Sequence, residues 1–95
     1  MSAIALESDL GIEGASRLHG QLAGLLDGRR AVVLDGRAVG RLHAATLQVL
    51  VAFVRERSAA GRKTRISDPS PELSQAAVAL GVASILGIES QGARA

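Results

Sequence analysis

The sequence predicts an α/β fold with the element order β-α-β-α-β-α. Three observations carry that reading. Short apolar or β-permissive runs alternate with stretches whose apolar residues recur every three or four positions, the two periods that separate strands from amphipathic helices. Gly, Asp-Gly or Asp-Pro marks most of the changes of period, at Gly28, Asp35-Gly36, Gly61, Asp68-Pro69 and Gly81. No internal repeat, low-complexity stretch or linker interrupts the pattern, so residues 1–95 read as a single domain with a flexible tail over Glu89–Ala95. Alternation of this kind implies parallel strand neighbours joined by right-handed crossovers.

Ala3–Glu7 alternates weakly and reads as a first strand, with Ile4 and Leu6 on one face. Asp9-Leu10-Gly11-Ile12 reads as the loop leaving it. From Glu13 the spacing becomes helical, with Ala15, Leu18, Leu22, Leu25 and Leu26 in one stripe. Asp27-Gly28 closes that helix, Gly28 suiting a left-handed terminal position. Ala31-Val32-Val33-Leu34 is a continuous apolar run ending at Asp35-Gly36, as expected of a strand buried on both faces. A second helix spans His43 to Ala60 and stops at Gly61. Lys63–Ser67 is a short strand with Thr64 and Ile66 on one side. Asp68-Pro69-Ser70-Pro71-Glu72 turns into a third helix, with Ser70 as N-cap, Pro71 at the first helical position and Glu72 at the positive helix end. That helix carries Leu73, Ala76, Ala77 and Leu80 as its apolar stripe, and Val82–Ile88 forms a last short turn.

Composition narrows the function. Apolar residues make up 47% of the chain, nearly all aliphatic, and Phe53 is the sole aromatic, which leaves nothing for stacking bases or sugars. The absence of cysteine removes disulfides, thiol nucleophiles and Cys-ligated zinc and suits a reducing cytoplasm. No signal peptide is read at Met1–Ile12, and the longest apolar stretch, Leu47–Val54, is interrupted by Gln48 and far short of the roughly 20 residues a membrane span needs. The formal charge is +2, so nucleic acid is not an expected partner. Arg55, Arg57, Arg62, Lys63 and Arg65 cluster in sequence. They read as solvated cations complementing a helix C-terminus, or alternatively as a surface for an acidic partner.

The second helix is apolar on two sides. At 100° per residue Leu47, Leu50, Val51 and Val54 gather on one face, which suits a sheet, while Ala45, Val49, Ala52 and Phe53 gather on nearly the opposite one. Either the first helix or a loop covers the second stripe, or Val49 and Phe53 belong to a surface for a partner or for a second copy, a homodimer.

Val32-Val33-Leu34-Asp35, then Val39, then Leu42-His43-Ala44-Ala45-Thr46-Leu47-Gln48-Val49-Leu50 resembles the STAS domain family of bacterial anti-sigma-factor antagonists. Asp68-Pro69-Ser70-Pro71-Glu72-Leu73 and Leu80-Gly81-Val82 resemble the closing region of the same family, so the likeness covers nearly the whole chain. It implies a STAS-like mixed β-sheet of about four strands backed by helices, with one strand of the family's N-terminal hairpin missing. It also implies a cytoplasmic, non-catalytic signal-transduction module that works by protein–protein interaction.

The family pattern places Asp, a phosphoacceptor Ser, a small residue and Gly where this chain has His43, Ala44, Ala45 and Thr46. Ala44 has no hydroxyl, so the switch that would add roughly two negative charges at the helix start is missing at that position. Thr46 lies in the first turn, where a threonine commonly caps its own helix. Such a degenerate motif resembles the short STAS-like proteins of bacterial chemotaxis gene clusters, which implies docking on a histidine kinase or an anti-sigma-like regulator. A different STAS subgroup serves as a small subunit of phospholipid-transporting ABC systems and binds the ATPase. On the resemblance, the partner-binding residues are Arg37, Arg41, His43, Ala44, Ala45, Thr46, Val49 and Phe53, presented by the loop Gly36–Leu42 and the following helix.

Catalytic and metal chemistry find little footing. His19 and His43 lack metal-ligand spacing, and both read as surface or capping residues. Asp35, at the end of the buried strand, is placed like the phosphoacceptor of a receiver domain. The acidic pair after the first strand is reduced to Asp9, however, and the chain is too short for five βα units, so Asp35 reads as a residue bonding its own loop. A glycine-rich phosphate loop with its Lys, a nucleophile–base pair and a carboxylate pair beside a basic group are all lacking, so no enzyme, cofactor or metal is expected.

Overall fold

The computed structural model describes residues 3–26, 28 and 30–88. Its elements are β1 (Ile4–Ala5), β2 (Asp9–Leu10), α1 (Ile12–Ala23), β3 (Val32–Asp35), β4 (Arg41–Leu42), α2 (Ala44–Ala59), β5 (Thr64–Ser67), α3 (Pro71–Ala79) and α4 (Ala83–Leu86). The α/β class stands, and the order gains two strands. β1, β3 and β5 form a sheet in the order β1-β3-β5, and β2 pairs separately with β4. Every pairing among the described residues is parallel, which corrects the expected mixed sheet of about four strands.

The two extra strands come from segments read as loops. Asp9–Leu10, taken as an exit loop, lies beside Arg41–Leu42 in the register Asp9↔Arg41 and Leu10↔Leu42. The carbonyl of Ser8 accepts both the Gly40 N–H (2.9 Å) and the Arg41 N–H (3.1 Å), so the first chain run bends and then resumes pairing beside the third. A two-residue strand carries too short an alternation to register as a period.

β3 corrects a second expectation. Its burial alternates, Val32 and Leu34 inside and Val33 and Asp35 half-buried, so helices cover one face of the sheet and not both. Register carries the alternation across the sheet. Leu34 lies beside Ile66 on the core side, whereas Asp35 lies beside the exposed Ala5, and Val33 beside the exposed Arg65, on the other. The core-side residues join Leu18 and Leu22 of α1, Leu47, Leu50 and Val51 of α2, Leu73 and Ala77 of α3, and Leu86 of α4 in one hydrophobic core.

α2 and α3 match their sequence signals closely, whereas α1 ends at Ala23 with Gly24 as its cap, short of the expected stop at Asp27-Gly28, so Leu25 and Leu26 lie beyond the helix. α2 begins after His43 and ends beside Ala60, with Gly61 in the left-handed region at φ 75°. Ser70 caps α3 by accepting the Leu73 N–H at 3.1 Å, and Pro71 opens the helix. Leu80 departs from its assigned stripe: it lies just beyond α3 and is 45% exposed. The Asp27 half of the expected α1 stop and the tail from Glu89 lie outside the described residues.

α1 packs against the second apolar stripe of α2 but covers only part of it. Phe53 is 4% exposed and belongs to the core, Val49 is half-buried, and Ala45 and Ala52 stay exposed. The expectation that Phe53 anchors an outside partner is therefore corrected, because a helix already sits on it. What remains is a groove of about 330 Å³ between α1 and α2, floored by Phe53 and Val49 and edged by His19 and Glu56.

Arg57, read as one of a row of solvated cations, is fully buried. All five of its N–H groups have partners. Nε donates to Thr64 Oγ1 (2.8 Å), Nη1 to the carbonyls of Leu25 (2.8 Å) and Gly28 (2.9 Å), and Nη2 to those of Arg30 (2.8 Å) and Lys63 (3.0 Å). The guanidinium carbon lies 5.8 Å from the centre of the Phe53 ring, within cation–π range. Burial pushes the Arg57 pKa below the usual guanidinium value, and the charge on Arg62 adds to the push. Arg57 thus ties the end of α2 to the chain leaving α1 and to the starts of β3 and β5. Nearby, Arg62 donates to the Leu26 carbonyl at 3.2 Å, whereas Arg55, Lys63 and Arg65 are exposed.

Arg57→Lys keeps the charge but offers three donors in place of five, leaving buried acceptors unpaired. It should lower stability by about 2–4 kcal/mol, read as a shift in the urea midpoint. A loss comparable to an exposed substitution such as Arg55→Lys would contradict the role given to Arg57.

Candidate functional site

Three chain turns gather at the carboxyl ends of the strands, the edge where open α/β sheets commonly place their sites. They are the β1–β2 bend with the start of α1, the loop from Gly36 to Leu42 with the start of α2, and the turn Asp68–Ser70 with the start of α3.

Gly36 fixes the second and third turns against each other. It donates to the Ser67 carbonyl (2.9 Å) and accepts from Ser70 (3.0 Å) and Val39 (3.3 Å). A Cβ at this position would lie 2.8 Å from Leu73 Cδ2, so any larger residue obliges the buried Leu73 side chain to shift. Val39 then turns inward at 1% exposure and holds the middle of the loop to the core. Asp35 bonds its own loop, as the sequence suggests. Its Oδ1 accepts the Arg37 main-chain N–H at 3.0 Å, and the Arg37 guanidinium lies 3.1 Å from Oδ2. Arg37 also reaches Asp68 at 3.3 Å, which ties the two turns by charge as well. Asp68 takes up a left-handed φ of 49°, a conformation in which Asp is enriched among non-glycine residues. The hydrogen bond from the Arg37 main chain holds the Asp35 carboxyl below its usual pKa, with the Arg37 side chain contributing.

The start of α2 is held twice. His43 is its N-cap, and Nδ1 accepts the Ala45 N–H at 3.0 Å. Thr46 is fully buried and donates its hydroxyl to the Gly11 carbonyl at 3.1 Å, joining the start of α2 to the start of α1. Modification of that hydroxyl would require the bond to break and the first turn to open. Ala44, the position of the family's phosphoacceptor, is exposed, as is Ala45.

Two different surfaces meet beside Ala44. On one side lies a polar hollow lined by Asp9, Glu13, Arg17, Arg41 and His43, with Ile12 at its rim, 70% exposed. Arg17 in that hollow is paired with Glu7 at 3.0 Å, and Asp9 accepts the Gly11 N–H at 3.0 Å. On the other side lies an apolar shelf of Leu42, Leu47, Ala76, Ala79 and Leu80.

The residues expected from the sequence therefore divide. Arg41, His43 and Ala44 lie together at this edge. Thr46 is interior. Arg37 belongs to the neighbouring loop, tied to Asp35 and Asp68. Ala45, Val49 and Phe53 line the groove between α1 and α2, together with His19. Sequence reasoning missed Ile12, placed in a loop, and Leu80, assigned to a buried stripe. Ile12 is the first residue of α1, directly after the cap residue Gly11, and no sequence pattern set it apart from the preceding loop. Among the described residues no group of three or more His, Asp or Glu side chains could hold a metal ion, and no helix is long and apolar enough to cross a membrane.

This arrangement presents a surface of mixed character around one exposed helix start. A family model described as "Mlab, STAS domain" matches residues 1–87. The chain belongs to the STAS domain family, whose members are in general non-catalytic modules that bind protein partners. A search of curated proteins gave no match.

Two outcomes test this geometry. Gly36→Ala should cost about 1–3 kcal/mol through overlap with Leu73, and pairing it with Leu73→Ala should cost less than the two separate losses combined, because the overlap is then relieved. Because the folded Asp35 pKa is lowered, its contribution to stability is full above the ordinary carboxylate range and is lost as pH falls through the lowered value. The stability gap between the native chain and Asp35→Asn should accordingly narrow on acidification. A gap that widens toward low pH would contradict the assignment.

Proposed function

We propose that the chain is a constitutive docking module of the STAS type, acting by surface complementarity on a signalling partner in the cytoplasm. The observation that carries this reading is Ala44, exposed between the polar hollow and the apolar shelf and without the hydroxyl of the family's switch. The burial of Thr46 supports it further, since the nearest hydroxyl is held inside by Gly11. Control then rests on the partner's state or on abundance.

The docking surface is Ile12, Arg41, His43, Ala44 and Leu80. Arg41 supplies an exposed cation, and the two apolar residues flank the helix start, the combination of apolar anchor and charged rim that partner surfaces commonly carry. The resemblance to degenerate STAS proteins of chemotaxis clusters supports a histidine kinase, or an anti-sigma-like regulator, as the partner. A second reading stands beside it, because the matching family model carries the description "Mlab". In that reading the chain is the small STAS subunit of a phospholipid-transporting ABC system, docking on its ATPase. The receiver-like reading draws no support from Asp35, whose carboxylate is engaged by Arg37.

Native co-purification of the tagged chain, run beside Ala44→Glu, tests the proposal. An acidic side chain suits the first turn of a helix, so the variant should keep its stability within about 0.5 kcal/mol and lose at least about tenfold in partner affinity, a typical cost for disrupting an interface centre. A kinase or chemotaxis component in the native sample supports the first reading, and an ATPase of the ABC type supports the second. Recovery of the same partner by the variant at full affinity would place docking elsewhere. Phe53→Asp, by contrast, buries a charge against α1 and should unfold the chain or cost at least about 3 kcal/mol.

A further inference from the structure

We propose that His43 makes the start of α2 sensitive to protons, a regulation of the docking edge that rests on the reading above. The family pattern has Asp at this position, and a carboxylate can cap a helix across the physiological range. An imidazole can do so only through an unprotonated ring nitrogen.

The geometry isolates that dependence in one bond. The His43 main-chain N–H donates to the Leu10 carbonyl at 3.0 Å, and its carbonyl accepts from Thr46 (2.9 Å) and Leu47 (3.1 Å). None of these contacts changes when the ring gains a proton. The contact between His43 Nδ1 and the Ala45 N–H, at 3.0 Å, does change. A proton arriving at Nδ1 takes the lone pair that accepts this bond and sets one N–H against another. It also adds a full positive charge at the helix end that already carries a partial one. The exposed ring then turns toward water, and the Ala45 N–H is left to solvent.

The charged groups facing His43 in the polar hollow are Asp9 from β2, Glu13 and Arg17 from α1, and Arg41 from β4; the neighbouring α3 presents Ala76, Ala79 and Leu80. Glu7 adds a third carboxylate through its pair with Arg17, so three carboxylates stand against two guanidiniums, and Asp9 already accepts the Gly11 N–H. The cap bond is the element that responds to the proton. Its opening stops at Thr46, whose buried hydroxyl stays on Gly11. The affected segment is Ala44-Ala45, the middle of the docking edge.

The test uses the full chain alone, with no partner. In amide-resolved NMR from about pH 7.5 to about pH 5.5, across the histidine range, the Ala45 amide proton should shift upfield in step with the His43 ring. Its protection from exchange, corrected for intrinsic rate, should fall about fivefold, the worth of one N-cap bond. The Leu50 amide, deeper in α2, should keep its protection. In His43→Asn and His43→Asp, whose side chains accept without needing a neutral ring, the Ala45 signal should stay flat over the same interval. An Ala45 amide that is unchanged in the native chain, or that moves equally in the Asn variant, overturns the proposal. Because no partner enters, this outcome is separate from the fate of the docking reading, which the co-purification decides.

Discussion

A single buried guanidinium organises one end of this molecule. Arg57 draws four main-chain carbonyls and one hydroxyl onto itself from two separate stretches of chain, 25–30 and 63–64. Each carbonyl would otherwise need water in a region where α1 ends, β3 begins and β5 begins. Among the described residues the cation meets only neutral groups, and their dipoles compensate its charge. That arrangement is demanding, because the cost of removing a guanidinium from water is recovered only when every donor is bonded. Here every donor is, and no buried side-chain polar atom among the described residues lacks a partner. Phe53 lies beside the cation, so the lone aromatic residue serves both the core and this charge.

The opposite end of the sheet is built on other terms. Where the amino end uses one cation and many acceptors, the carboxyl end uses close approach and short-range bonds. Gly36 lets the β3–β4 loop sit against Leu73, Asp35 and Asp68 share Arg37, and Thr46 fastens two helix starts together. A rigid frame of this kind leaves the start of α2 well placed yet lightly covered. Surface function and interior order are divided between neighbours: Ala44 and Ala45 face out, while Thr46 and Leu47 face in.

Much of this was legible before any coordinates. Helices announce themselves through several redundant signals, and α3 carries three of them in Ser70, Pro71 and Glu72. α2 was legible through Gly61 and through its two apolar faces, although periodicity alone left open whether a helix or a partner covers the second. The strands were harder. β2 and β4 hold two residues each, and their pairing depends on a bend at Ser8 that no local pattern encodes. The one-sided cover of β3 was hidden because Val33 is apolar although it lies on the open face. Arg57 was hidden for a related reason: residue type favours the surface for arginine, and only the converging carbonyls explain its burial. At the site, the missing serine at Ala44 was plain from the sequence, whereas Ile12 and Leu80 emerged only once three turns were brought to one edge.

The acceptors around Arg57 also shape how the sequence is free to drift. Four of the five belong to the peptide backbone, which every residue type supplies. Positions 28, 30 and 63, which lie exposed, can therefore exchange side chains and still present the same oxygen, provided the local path of the chain survives. Position 57 has no such latitude, since no other side chain delivers five donors from one plane. The fold thus concentrates its inheritance at one codon and relaxes it at the positions that codon serves. Relatives with little overall identity could then keep this end of the molecule intact through a single retained arginine.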